Sequence, residues 1–123
     1  MGAEQRKEKR FQVKDEALVA FVSPSARDSS KIGKVVDISP GGMAVCCPGA
    51  GEPLRGTYRL EILYPGRTGL IEKVSGKIVY SHGSTQKACA SEERRYGVQF
   101  TGLSAAQAYH VGRMIQSHTF RME

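Results

Sequence analysis

Tryptophan is absent from this chain of 123 residues, and aromatic residues make up only 7% of it. A single-stranded nucleic-acid platform needs exposed rings on which bases stack. The few rings here, among them Tyr58, Tyr64, Tyr96 and Phe100, fall on alternate positions that read as core-facing, so a nucleic-acid polymer is not the expected partner. Aspartate is scarce too: Asp15, Asp28 and Asp37 are the only three, and no pair of carboxylates has a spacing that implies a two-metal centre. His82, His110 and His118 have no cysteine or carboxylate at a metal-ligand spacing. No phosphate-binding Walker loop and no Gly-x-Ser-x-Gly nucleophile turn is present. No catalytic residue and no metal ligand is therefore expected, and the chain does not read as an enzyme. The three cysteines include the neighbours Cys46 and Cys47, whose Cα atoms sit about 3.8 Å apart, short of comfortable disulfide geometry. With an odd count and no Cys-x-x-Cys, neither a disulfide framework nor zinc binding is expected, and the cysteines read as small apolar core residues. No apolar run approaches the roughly 20 residues of a membrane helix. Met1 to Arg10 is charged where a secretory signal is greasy. A cytoplasmic chain without membrane insertion is the expectation.

What is present suits one folded domain. Hydrophobic residues make up 40% and charged residues 24%, an ordinary globular mix. Eighteen Lys and Arg against 12 Asp and Glu leave +6, a balance that favours anionic partners and says nothing about fold. The first ten residues hold Arg6, Lys7, Lys9 and Arg10 with little to bury. Six β-prone stretches follow: 17–22, 34–38, 43–47, 57–64, 70–80 and 95–101. Tyr58, Leu60, Ile62 and Tyr64, and again Tyr96, Val98 and Phe100, alternate with the period of two of a half-buried strand. Gly76 interrupts the fifth stretch and suggests a bulge or bend. Ser104 with Gln107 three residues on has the spacing of a capping box. Ala108, Val111 and Ile115 then line one face of a terminal helix, and Gly112 would let that helix approach a sheet closely. Closing six short strands into a barrel hides both an apolar face and the strand edges. An open antiparallel sheet packed on the helix is the alternative.

Two clusters could hold an anion or a base. Arg6 and Arg10 can each give a phosphate two parallel charge-assisted bonds. The spacing is not specific: Arg55 and Arg59 repeat it, and the plainer reading of the first pair is a solvated basic tail. Asp37-Ile-Ser39-Pro-Gly-Gly42 sits at a hairpin. There an ionised carboxylate can accept from the two adjacent N–H donors of a guanine Watson–Crick edge. Ser39 adds a hydroxyl, and Pro40-Gly41 suits the centre of a type II turn. Gly42, without a Cβ, admits a flat ring close to the backbone. The plainer reading is that Asp37 and Ser39 serve the hairpin's own backbone. Asp28 to Gly33 repeats the spacing in a polar stretch with little hydrophobic support.

An Arg-x-x-x-Arg before an Asp-x-Ser-x-x-Gly, six strands, the Tyr96-Gly-Val-Gln-Phe100 run and a terminal helix together resemble the PilZ domain family. The resemblance implies a mainly β fold, a six-stranded antiparallel barrel with one C-terminal helix, and a bacterial second-messenger receptor for cyclic di-GMP. It implies a switch segment over residues 1–12, the barrel and helix over 13–118, and a tail over 119–123. Arg6 and Arg10 would grip phosphates and guanine faces, and Asp37, Ser39 and Gly42 would receive a guanine. Cyclic di-GMP would be the ligand, with no cofactor, and a downstream protein effector would read the closed segment in motility or polysaccharide regulation. The alternative is an interaction module of the same family that ignores nucleotides. Arg94 and Arg95 either assist the ligand or merely solubilise an edge.

Overall fold

Strands β1 (Phe11–Val13), β2 (Leu18–Val22), β3 (Ser30–Ser39), β4 (Gly42–Pro48), β5 (Thr57–Leu63), β6 (Leu70–His82) and β7 (Glu93–Phe100) precede helix α1 (Ala105–His118), and β8 (Thr119–Arg121) follows it. The computed structural model describes residues 11–13, 16–22, 30–49, 53–64, 69–82, 89 and 92–121. The strands run in the order β2-β5-β6-β7-β4-β3, and β2 also pairs with β3, which closes six strands into an antiparallel barrel. The open-sheet alternative is thereby excluded. The long strand β3 shares its edge: Ser30 to Lys34 pair with β2, while Asp37 and Ile38 pair with β1, which in turn pairs with β8. β1 and β8 are three residues each, too short for any periodicity to announce them.

The expected alternation fills the barrel. Leu60 and Ile62 of β5, and Tyr96, Val98 and Phe100 of β7, join Val19, Phe21, Val35, Ile38, Met43, Val45 and Val74 in one buried cluster. Each such large apolar side chain contributes roughly 1.5–3 kcal/mol through burial. The Tyr96 hydroxyl, buried with its ring, accepts a hydrogen bond from the Leu54 N–H at 3.0 Å. Gly76 is not a bulge. It pairs regularly with Tyr58 and Phe100, and a Cβ there would meet Leu60 Cδ1 at 2.6 Å and Val98 Cγ1 at 2.9 Å, so any larger residue requires these core side chains to shift. The irregularities lie on either side of it, one at Lys73, whose φ is 58°, and one between Ile78 and Tyr80.

The capping box forms as the spacing implies. The Gln107 N–H donates to Ser104 Oγ at 3.0 Å and the Ser104 N–H to Gln107 Oε1 at 2.9 Å. The Gln107 amide also donates to the carbonyls of Glu72 and Lys73, fastening α1 to the kink in β6. The buried face of α1 is Val111, Met114 and, in part, Ile115, whereas Ala108 is exposed. Gly112 has open space where its Cβ would lie, so it provides no close approach to the sheet. Among the described residues no helix is long and apolar enough to cross a membrane.

Candidate functional site

The β3–β4 hairpin is shaped by one extra residue. Val35 pairs with Val45 and Asp37 with Ala44, which leaves Val36 unopposed as a bulge. Side chains alternate across a strand, so without the bulge Asp37 would point inward with Val35. With it, Ile38 enters the core and Asp37 goes to the outer side of the sheet, where it is only 6% exposed. Ser39, on the same side, is 3% exposed. Two buried polar side chains on the outside of a barrel wall depart from ordinary patterning, which makes them a candidate site.

Each has a partner in the protein. Arg95 of β7 donates from Nη2 to Asp37 Oδ2 at 3.3 Å, in a partly buried ion pair. The Ser39 hydroxyl donates to the Gly42 carbonyl at 3.4 Å, within its own hairpin. Gly42 is needed for packing: a Cβ there would collide with the Val98 carbonyl of β7. The turn is not type II. Positive φ among the described glycines is confined to Gly56 and Gly102, and the Gly41 carbonyl is turned to accept from the Phe100 N–H at 2.8 Å. The neighbouring strand thus sets the hairpin's geometry, against the intrinsic preference of Pro-Gly.

Arg6 and Arg10 lie outside the described residues, as does Asp28. β1 nevertheless joins the chain that follows Arg10 to the hairpin, since Phe11 pairs with Ile38 and Gln12 with Asp37. The second arginine pair, Arg55 and Arg59, belongs to the approach to β5 and to β5 itself, which β6 and β7 separate from β4. Arg59 is engaged with Glu61 at 3.8 Å. Arg95 is the residue that reading the chain underestimates. The inward run of Tyr96, Val98 and Phe100 already turns Arg95 outward, but only the order β3-β4-β7 puts it within reach of Asp37. Arg94 points to a different neighbour, donating to Ser81 Oγ at 3.4 Å.

The cysteines overturn one expectation. Cys46 is joined to Cys89 by a disulfide, with the Cα atoms 5.6 Å apart. The adjacency of Cys46 and Cys47 is misleading because neighbours on a strand face opposite ways, and Cys46 meets a residue 43 positions away. Cys47 is a buried, free cysteine, the state expected of all three, and burial pushes its thiol up to about 12.

The PilZ domain family model matches residues 4–117, a span that includes Arg6, Arg10 and the hairpin. Among solved structures, the chain is similar to the PilZ domain of YcgR from Escherichia coli with c-di-GMP, at a TM-score of 0.70 and 17% identity, over 93% of this chain and 91% of that one. It is similar to YcgR from Escherichia coli in complex with c-di-GMP at a TM-score of 0.66 and 17% identity, over 92% of this chain and 45% of that one. The Bacillus subtilis inhibitor of motility MotI/DgrA gives a TM-score of 0.62 and 18% identity, over 91% of this chain and 52% of that one. The chain therefore spans about half of the two longer proteins. These likenesses concern the fold. No curated protein matches the chain.

Proposed function

Because the chain belongs to the PilZ domain family, we propose that it is a receptor for cyclic di-GMP, with the binding residues Arg6, Arg10, Asp37, Ser39 and Gly42. One observation carries the reading. A carboxylate and a hydroxyl, Asp37 and Ser39, are almost fully buried on the outer side of a hairpin, and the edge of that hairpin is reached by the strand leading from Arg6 and Arg10. A carboxylate has about four acceptor positions. Asp37 can thus keep its bond to Arg95 and still accept from the N1–H and exocyclic amine of a guanine. The guanidinium groups of Arg6 and Arg10 match phosphate geometry and stack on base faces, so the N-terminal half handles charge and the hairpin handles base identity.

Ordering a segment costs roughly 1–2 kcal/mol per residue, and micromolar to nanomolar affinity supplies only about 8–12 kcal/mol. The ligand can immobilise the stretch near Arg6 to Arg10 and not the whole tail. Docking it neutralises part of the basic charge and presents a changed face beside the barrel, which a protein effector can read. The role is that of a receptor and not of an enzyme.

Calorimetric titration with cyclic di-GMP tests this. Saturable heat is expected for the wild type. Arg10→Ala and Asp37→Ala should lose at least about 100-fold in affinity, the worth of one or two charge-assisted hydrogen bonds, with unchanged circular dichroism. Arg55→Ala and Asp28→Ala should bind as the wild type does. Absence of saturable heat in the folded wild type would favour the nucleotide-independent interaction module, and loss confined to Arg55→Ala or Asp28→Ala would refute the site.

A further inference from the structure

Cys46 Sγ, Cys89 Sγ and a carboxylate oxygen of Glu93 all lie within 4.8 Å of one another. We propose that, once the Cys46–Cys89 bond is reduced, these three side chains form a binding site for a thiophilic divalent cation of the zinc class. The donors come from three places: Cys46 from the middle of β4, Glu93 from the first residue of β7, and Cys89 from the connection between β6 and β7. The β4–β7 register holds two of them in place, with Glu93 paired to Pro48 two positions beyond Cys46. Zinc binds thiolate sulfur at about 2.3 Å and carboxylate oxygen at about 2.0–2.2 Å, so tetrahedral donors stand roughly 3.5–3.8 Å apart. A Cα separation of 5.6 Å between the cysteines and donor atoms within 4.8 Å of one another are compatible with that spacing.

Two sulfurs with one oxygen select a soft cation over magnesium or calcium, and water completes the fourth position. The chemistry balances. A dithiol reductant supplies two electrons and two protons to the S–S bond and leaves as its own disulfide. The cation then displaces both thiol protons to solvent and accepts electron pairs from two sulfurs and one Glu93 oxygen. Disulfide and bound cation are therefore alternative states of one locus, independent of the nucleotide reading.

Titration of the reduced full chain with Co2+ tests the site, because thiolate ligation produces charge-transfer absorption and tetrahedral geometry produces visible ligand-field bands. The expected result is a saturable one-to-one signal in the reduced protein, reversed by Zn2+, and none in the oxidised protein. Cys46→Ser and Cys89→Ser should abolish it and Cys47→Ala should keep it. Glu93→Gln leaves both sulfurs untouched and should weaken Co2+ by at least about tenfold, since even residues behind a direct ligand are worth that much. No charge-transfer band in the reduced wild type, or unchanged affinity in Glu93→Gln, would overturn the proposal, and the second result stands even if the cysteine variants fail to fold.

Discussion

On the outer face of β2 and β5, Leu18 and Leu63 stand 37% and 51% exposed, while on the outer face of β3 and β4 the polar Asp37 and Ser39 are 6% and 3% exposed. The inner faces of the two walls do not differ in this way: Val19, Leu60 and Ile62 on one, and Val35, Ile38, Met43 and Val45 on the other, fill the same core. Exposed leucines on a sheet surface are ordinary. Buried polar groups are not, because each must be given a partner to offset its desolvation. The difference is that near the β3–β4 turn polar side chains are withdrawn from solvent and partnered, as the proposed site requires, whereas on the β2–β5 wall apolar ones face solvent.

Substitutions on the two walls should separate accordingly. The largest effect is expected for Gly42→Ala, whose new methyl would drive into the Val98 carbonyl across the β4–β7 pairing. Overpacking against backbone costs about 3 kcal/mol, visible as a lower midpoint of urea unfolding at unchanged slope. A neutral Gly42→Ala would mean that the glycine serves the ligand alone. Next is Arg95→Ala, which takes the guanidinium from a nearly buried Asp37. About 2 kcal/mol of stability should be lost, with weaker cyclic di-GMP binding measured in the same preparation and partial recovery in Arg95→Lys. The smallest effect belongs to the other wall. Leu63→Lys should change stability by no more than about 0.5 kcal/mol and leave binding alone, as surface substitutions do, and a larger loss would erase the contrast.

Much of this architecture is legible in the order of the residues alone. The period of two in β5 and β7 identifies the inward residues, the Ser104–Gln107 pair marks the start of α1, and the two motifs point to the hairpin and the N-terminal arginines. What escapes depends on which strands become neighbours. Arg95 reaches Asp37 only because β4 lies between β3 and β7, and Cys46 finds Cys89 only across a gap of 43 residues. The bulge at Val36 is silent in the sequence because nothing in Val35-Val36 tells which residue lacks an opposite number, yet it decides the side on which Asp37 emerges. Pro40-Gly41 suggests a turn that the neighbouring Phe100 N–H overrides.

The central claim is that the N-terminal arginines and the acidic hairpin meet on one ligand. The most direct measurement is an amide NMR titration of the full chain with cyclic di-GMP. Residues 6–10, residues 37–42 and Arg95 should shift together in one saturable step with a shared dissociation constant, with Arg55 and Arg59 unmoved. If the hairpin shifts while residues 6–10 stay as they were at saturation, or if the two groups saturate at different ligand concentrations, the claim is contradicted.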